Sequence, residues 1–283
     1  MRIVKLPKGN GKFRTIYSPA SCKDSTCGKC EMCLLKAIVP AIAAMERQAA
    51  NRAGVAHVAH GFIANRSPVT CADRHRRYST TISCDLSSWF DSVTYQHLIA
   101  AGMSTAMASA IVVDGACRQG LPTSPSAANL VAVKFDRMLQ EALSGILVDY
   151  AYTRYADDIT ISTNDDPCSV ISYVTICAEF MGWKIAEHKT RVQYASAGKR
   201  IVVGIAVDAR LTATRSTKRK LRAALHQRKK RQVSGLREWS KCKMPNALRP
   251  IMRGSVKASV SVTSTSVTSV SVTKTGVRRI SFE

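Results

Sequence analysis

Acidic and aromatic residues are scarce in this chain, and long apolar runs are missing from it. The 283 residues include 19 Asp and Glu against 42 Lys and Arg, and 6% are aromatic. No apolar run reaches the roughly 20 residues that cross a bilayer, and the segment after Met1 lacks the apolar core of a secretory signal. With no aromatic amphipathic helix for a membrane surface either, the sequence predicts a cytoplasmic protein with no membrane partner.

Positively charged residues are abundant in the chain. The net charge is +23 and the isoelectric point is about 10.0, so the expected partner is a polyanion such as a nucleic acid. A hydrophobic content of 46% is ordinary for a globular protein with one large domain or two modest ones. The ten cysteines of a chain expected inside the cell are predicted to be thiols or metal ligands rather than disulfides.

Two adjacent acids, Asp157 and Asp158, are flanked on both sides by strand-forming residues. This pattern predicts a β-hairpin with an acidic tip, although a solvated turn would also fit. Neighbouring carboxylates repel each other unless cations compensate them, and oxygen ligands of this kind suit Mg²⁺. A third acid, Asp85, ends a predicted strand at residues 79–86. Three carboxylates so placed are what a two-metal phosphoryl-transfer site needs.

Hydrophobic periodicity predicts both strands and helices. The predicted strands, besides those of the acidic hairpin, are residues 2–7, 13–17, 79–86 and 201–207, and the predicted helices are residues 34–52, 127–143, 168–181 and 216–232. From Ser255 to Thr275 the chain is almost wholly Ser, Thr and Val, which predicts a flexible tail or, alternatively, strands in a sheet or an oligomer contact.

Four segments occur in an order that resembles the palm of a reverse transcriptase, most closely the bacterial retron type. They are Asp85-Leu86-x-x-Trp89-Phe90-Asp91-Ser92, Gln119-Gly120-Leu121-Pro122-Thr123-Ser124-Pro125 with Asn129, Arg154-Tyr155-Ala156-Asp157-Asp158, and Gly182-Trp183-Lys184-Ile185 with Lys189. The resemblance extends from about Lys8 to Trp239. A retron-related defence reverse transcriptase is the close alternative.

The resemblance implies an α+β fold, that of a right-hand polymerase. Residues 1–80 would form fingers with a Cys-rich insertion at residues 22–33, and residues 81–210 would form a palm of antiparallel sheet and helices with part of the fingers. Residues 211–250 would form a basic, helical thumb, and residues 251–283 a Ser/Thr/Val-rich tail.

The same resemblance implies roles for the acids and their neighbours. Asp85 and Asp157 would bind two Mg²⁺ ions, with the Leu86 carbonyl as a further ligand and Asp158 at the edge of the site. Lys189 would be the acid for departing pyrophosphate.

Five residues are implied in binding the deoxynucleoside triphosphate. Phe90 would exclude a ribose 2′-hydroxyl, and Gln119 and Gly120 would border the incoming nucleotide. Arg14, and after it Lys12, would contact the triphosphate through the first fingers strand, since a guanidinium fork suits phosphate.

A basic segment follows the palm-like region. It falls where the family has its thumb, which would track an RNA template and DNA product through phosphate contacts. The residues are Arg215, Lys218, Arg219, Lys220, Arg222, Arg228, Lys229, Lys230 and Arg231.

Two retron-like elements depart from the family pattern. Cys71-Ala72-Asp73-Arg74-His75 has Cys where retron enzymes have Asn, and Val202-Val203-Gly204 has Val where they have Thr. In that family these elements are tied to recognition of a structured non-coding RNA, so the departures put a standard retron RNA in doubt. A partner effector protein or an oligomer, and a role in anti-phage defence, are further expectations of the resemblance.

Four closely spaced cysteines, Cys22, Cys27, Cys30 and Cys33, are not typical of retron enzymes. Four thiolates suit tetrahedral Zn²⁺. Iron–sulfur ligation and a loop of unligated thiols are the open alternatives.

The leading functional hypothesis is an RNA-directed DNA polymerase of retron type, which extends a primer 3′-hydroxyl and releases pyrophosphate. An RNA-dependent RNA polymerase is the second hypothesis, against which Phe90 argues. A non-enzymatic RNA-binding scaffold on the same fold is the third, against which the intact acids argue.

Overall fold

The computed structural model describes residues 1–9, 11–20, 27 and 30–244. The predicted tail at 251–283 and Cys22 lie outside the described residues. The strands are β1 (Arg2–Gly9), β2 (Lys12–Ser18), β3 (Thr80–Asp85), β4 (Tyr150–Tyr155), β5 (Asp158–Thr163), β6 (Arg191–Tyr194), β7 (Arg200–Val202), β8 (Ile205–Val207) and β9 (Thr212–Ala213).

The α-helices occur in groups between these strands and after the last of them. They are α1 (Glu31–Arg52), α2 (Pro68–Asp73), α3 (Trp89–Ser92), α4 (Tyr95–Ala100), α5 (Thr105–Ile111), α6 (Ser124–Ser144), α7 (Val170–Phe180), α8 (Arg215–His226) and α9 (Lys230–Ser240). Helices and antiparallel sheets together confirm the mixed α and β character expected from the sequence.

The central sheet has the antiparallel strand order β4-β5-β3-β6. Because side chains alternate across a strand, its residues separate into two faces. One face carries Ile82, Ile159 and Ile161, which are buried in the main core with Phe135 and Leu139 of α6. The opposite face carries polar residues and, at the end of the strands, Asp85 and Asp158, which are paired in register. The alternation thus directs the acids away from the helix-covered core.

Two smaller antiparallel sheets accompany the central sheet. β1 and β2, which contain the predicted strands 2–7 and 13–17, form a hairpin, and β7, β8 and β9 form a separate three-stranded sheet. The expected single strand at 201–207 is wrong. Val203 and Gly204 both have positive φ, 46° and 77°, which is the conformation of a tight hairpin turn. Because Gly204 lies within an apolar run, hydrophobic periodicity does not reveal this turn.

The basic helix predicted at residues 216–232 is also wrong as one element. Arg228 has φ 53° and separates α8 from α9, which contact each other. A run of Lys and Arg offers no Gly, Pro or capping residue to mark the break, so sequence patterns give no sign of it. Among the described residues, no helix is both apolar enough and long enough to cross a membrane.

Candidate active site

The three predicted acids meet at one end of the central sheet. Ala156 and Asp157 form the two-residue turn between β4 and β5, with Ala156 in the left-handed region at φ 57°. The backbone N–H of Leu86 donates to the Asp157 carbonyl at 2.9 Å, which ties this turn to the end of β3. Asp158 lies opposite Asp85 in the strand register. The acidic hairpin and its proximity to Asp85 are therefore confirmed.

The acids destabilise one another's charged forms. Burial raises the pKa of Asp157, and the negative charge of Asp85 raises it further. Burial, then Asp157, then Asp85 raise the pKa of Asp158 to about 7. A cluster whose charge is this poorly compensated favours added cations, and carboxylate oxygens are the ligands that Mg²⁺ prefers. The donor set fits the divalent metal expected from the sequence.

Three basic side chains partly offset this charge. The Lys189 ammonium lies 2.7 Å from the Asp85 carboxylate, so the structure brings Lys189 to the acids. Arg191, which sequence reasoning missed, lowers the pKa of Asp158, and exposed Arg14 lowers that of Asp157. The position of Arg191 two residues beyond Lys189 is the one signal that could have found it.

A cavity of 230 Å³ lies beside the acids. Asp85, Asp158, Lys189 and Arg191 line it together with the Val203–Gly204 turn. The hairpin turn that the sequence missed therefore borders the candidate site.

Leu86, the predicted backbone ligand, is buried and bridges to Ile185. The flanking hydrogen bonds run from Ser87 N to Lys184 O and from Ala186 N to Asp85 O. Neither bond uses the carbonyl oxygen of Leu86, the predicted metal ligand.

Phe90 lies in α3, four residues beyond Leu86, and is half-buried. Its ring centroid is 6.3 Å from that of Phe62, which is 54% exposed and has φ 63°. A bulky aromatic residue in left-handed backbone is uncommon and points to a constrained loop. Sequence reasoning placed Phe62 in a segment that resembles the family's fingers but gave its side chain no role.

The Gln119–Gly120 loop contacts the first hairpin. The Tyr17 backbone N–H donates to the Gln119 carbonyl at 2.8 Å. Gly120 has φ 106°, and a Cβ there would lie 2.5 Å from the Tyr17 carbonyl oxygen. Gly120 therefore permits a close approach between two backbone segments. The neighbouring segment is β2, the strand that begins at Lys12 and carries Arg14.

All nine predicted basic thumb residues are exposed on α8, on α9 or in the link between them. Arg215, Arg219 and Arg222 lie at helix positions i, i+4 and i+7, which places them along one side of α8. None of the nine forms an ion pair with an acid in the described part of the chain. The surface has the character of a phosphate-binding face.

Three of the four predicted cysteines lie together. The Sγ atoms of Cys27, Cys30 and Cys33 are all within 4.8 Å of one another. Cys30 is the N-cap of α1 and Cys33 lies in its first turn.

The retron-like elements at 71–75 and 202–204 each contribute buried residues. Cys71 and His75 are fully buried, and Cys71 shares a small apolar core with Val202. His75 hydrogen-bonds through Nδ1 to Ser162 at 2.8 Å and through Nε2 to Thr153 at 2.7 Å. Any part that these two side chains have in RNA recognition is therefore indirect.

Comparison with known proteins agrees with this geometry. Residues 6–236 match the family described as reverse transcriptase (RNA-dependent DNA polymerase). Retron Mx65 reverse transcriptase of Myxococcus xanthus is 30% identical over 253 residues, covering 78% of this chain and 54% of that protein. Retron Mx162 reverse transcriptase of the same organism is 30% identical over 273 residues, covering 80% and 52%.

The chain belongs to the reverse transcriptase family. Within that family it is of the retron type, as the motifs predicted, and it spans about half the length of these two curated relatives. Solved structures support the fold alone: telomerase from Candida albicans in complex with a telomeric RNA fragment has a TM-score of 0.55 at 12% identity, over 75% of this chain and 45% of that one. Apo telomerase from Candida tropicalis has a TM-score of 0.54 at 12% identity, over 75% and 54%.

Proposed function

We propose that this chain is an RNA-directed DNA polymerase. The observation that carries the proposal is the convergence of Asp85, Asp157 and Asp158 at one end of the central sheet. Asp85 and Asp157 would hold two Mg²⁺ ions, with Asp158 beside them. When bound, these ions would lower the pKa of the primer 3′-hydroxyl and neutralise the triphosphate.

The reaction joins the primer 3′-oxygen to the α-phosphorus of a deoxynucleoside triphosphate. The bond from that phosphorus to pyrophosphate breaks, and the proton of the hydroxyl passes to water. Lys189, whose ammonium lies 2.7 Å from Asp85, is placed to give a proton to pyrophosphate if it turns from that carboxylate. Arg14 would hold the triphosphate, because it is exposed and close enough to act on Asp157.

The nucleotide site would be bounded by Phe90 and by the loop at Gln119 and Gly120. A ring at Phe90 would clash with a ribose 2′-hydroxyl and so favour deoxynucleotides. In this assignment residues 1–80 are fingers, 81–210 palm and 211–250 thumb. The exposed cations of α8 and α9 would contact the phosphates of an RNA template and DNA product.

The direct test is primer extension on an RNA template with either deoxynucleoside or ribonucleoside triphosphates in Mg²⁺. We expect extension with deoxynucleotides, and Phe90→Val should raise ribonucleotide incorporation relative to wild type. Preference of the wild-type chain for ribonucleotides would instead identify an RNA-dependent RNA polymerase. Absence of extension with either set, together with RNA binding, would identify an RNA-binding scaffold.

We also propose a role in anti-phage defence that depends on DNA synthesis, with a structured RNA as template. Cells that express the wild-type chain with its native flanking sequence should resist phage in a plating assay, and Asp85→Asn should abolish that resistance. Equal protection by both forms would remove the link between synthesis and defence.

We propose a structural Zn²⁺ at Cys27, Cys30 and Cys33, with a further ligand completing the tetrahedron. Zn–S bonds of about 2.3 Å place tetrahedral sulfurs about 3.8 Å apart, so the observed spread needs only side-chain adjustment. The N-terminus of α1 favours negative ligands such as thiolates. The ion would stabilise the connection between the first hairpin and α1.

Metal analysis of the purified protein tests this site. We expect one equivalent of Zn²⁺, lost in Cys30→Ser and Cys33→Ser and retained in the exposed control Cys168→Ser. Iron with visible absorbance, or no metal after growth in zinc, would contradict the assignment.

A further inference from the structure

Arg154 is a fully buried arginine two residues before Ala156, the first residue of the Ala156–Asp157 turn. It lies in β4 in register with Ile159, so strand alternation directs its side chain toward α6, away from Asp158. There its Nε and Nη2 donate to the Asp136 carboxylate at distances of 2.8–3.2 Å. Both side chains are 1–2% exposed.

The remaining guanidinium nitrogen contacts the turn itself. Arg154 Nη1 donates to the Ala156 carbonyl at 3.1 Å and to Asn129 Oδ1 at 2.9 Å. Ala156 is the residue in left-handed backbone that precedes Asp157. Since its carbonyl belongs to the peptide group that leads into Asp157, this bond constrains the direction in which Asp157 leaves the turn.

Asn129 extends the contact to a second loop. Its Nδ2 donates to the Gly61 carbonyl at 2.9 Å, and the backbone of Arg154 pairs with the same loop through Val58 O and His60 N. A Cβ on Gly61 would lie 2.5 Å from the Ala156 nitrogen. The loop that contains Gly61 and Phe62 therefore packs directly against the Ala156–Asp157 turn.

The buried pair of Arg154 and Asp136 affects the site through its geometry rather than through its charge. Arg154 and Asp136 neutralise each other, so together they add no net charge to the site. Their geometry is instead well suited to holding a backbone in place, because a planar guanidinium fixes several acceptors at once. Buried pairs of this kind are weak contributors to stability but strongly constrain conformation when every donor is used.

We propose that Arg154, held by Asp136 and Asn129, is a positioning residue that fixes the Ala156–Asp157 turn for metal binding and holds the Gly61–Phe62 loop against it. The proposal rests on the polymerase function proposed above. It predicts that loss of the Ala156 bond affects metal binding and the rate of catalysis far more than nucleotide or template affinity.

Arg154→Lys is the primary test, since Lys can still pair with Asp136 but cannot also reach Ala156 and Asn129. We expect kcat to fall by roughly 10- to 100-fold and the Mg²⁺ concentration for half-maximal rate to rise several-fold. KM for the deoxynucleotide should stay within about twofold. Tyr152→Phe is the matched control, because it removes a bond of 2.6 Å to Asp136 without touching the turn, and it should leave all three quantities unchanged.

Hydrogen exchange supplies a readout that needs no activity. The Leu86 amide donates to the Asp157 carbonyl, so it should exchange faster in Arg154→Lys than in wild type and Tyr152→Phe. If Arg154→Lys does not fold, Asn129→Ala can replace it, because it removes the bridge to Gly61. It should change kcat, the Mg²⁺ dependence and the Leu86 exchange rate in the same directions by smaller factors.

Two results would overturn the proposal. One is a folded Arg154→Lys or Asn129→Ala whose Mg²⁺ dependence and Leu86 exchange match wild type. The other is an equal effect of Tyr152→Phe, which would mean general destabilisation. If the wild-type chain makes no DNA, the proposed function fails, but the exchange measurement still decides whether Arg154 positions the turn.

Discussion

Gly61→Ala should displace the Ala156–Asp157 turn, the proposed metal-binding turn, through a single methyl group. The added Cβ would lie 2.5 Å from the Ala156 nitrogen, 3.1 Å from the Tyr155 carbonyl carbon and 3.3 Å from the Ala156 Cα. All three neighbours are backbone atoms, so no side chain can rotate away. The loop and the turn must separate by about 0.9 Å to regain ordinary van der Waals contact.

A separation of this size acts on the residue next to Asp157. Misplacement of a catalytic group by about 1 Å can cost roughly 100-fold in rate, so we expect kcat for single-nucleotide extension to fall by about 10- to 100-fold. The backbone of Gly61 is not left-handed, which means that the effect comes from lack of space and not from strained φ. Overpacking of this kind costs about 1–3 kcal/mol of stability, so the variant should still fold at 25 °C.

Gly145→Ala is the control. Its new Cβ would lie 3.4 Å from the Ala142 carbonyl oxygen, and its backbone is likewise not left-handed, so both rate and melting temperature should stay near wild type. A Gly61→Ala variant that extends primers within twofold of the wild-type rate would refute the claim that this loop constrains the turn.

Two further predictions concern the interior and the basic helices. Burial lowers the pKa of His75 to about 3. Below pH 6.5 the unfolded chain therefore binds a proton at this residue that the folded chain does not bind, and the free energy of unfolding decreases as the pH is lowered. At pH 5.5 this costs about 1.2 kcal/mol relative to pH 7, with a similar loss from His60. Urea unfolding at both pH values measures it; His75→Gln should reduce the pH dependence by that amount, and an unchanged dependence would refute the burial argument. Neutralising three arginines of α8 should weaken template–primer binding and reduce the slope of log K against log salt by about 0.7–0.9 per lost contact. An unchanged slope would remove α8 from the nucleic-acid interface. The variants are Arg215→Gln, Arg219→Gln and Arg222→Gln, with Arg47→Gln, Arg52→Gln and Arg137→Gln as a control of equal charge change.

The sequence was sufficient for the parts of the site that depend on local patterns. Strand-forming residues on either side of Asp157 and Asp158 predicted the hairpin, and a strand ending at Asp85 predicted its partner. Both follow from alternation and turn chemistry within a few residues. The long helix at 127–143 was found within three residues of its observed start and one of its end for the same reason.

Features that depend on tertiary packing could not be predicted from local sequence patterns. The bond between Arg154 and Asp136 joins a strand to a helix, and nothing local marks either residue as buried. The Val203–Gly204 turn lies within an apolar run that reads as one strand. His75 belongs to a polar motif, yet it is fully buried and hydrogen-bonds to Ser162 and Thr153 of the central sheet.

The most direct test of the account is Mg²⁺-dependent DNA synthesis by Asp157→Asn. Primer extension on an RNA template with deoxynucleotides should fall by about 10³-fold or more, since loss of a metal ligand removes several kcal/mol of transition-state stabilisation. Asp166→Asn is the matched control: Asp166 is exposed and accepts a bond from the Cys168 backbone, which Asn can also accept, so it should extend primers at the wild-type rate. If Asp157→Asn retained wild-type synthesis, the three acids would not be the catalytic centre.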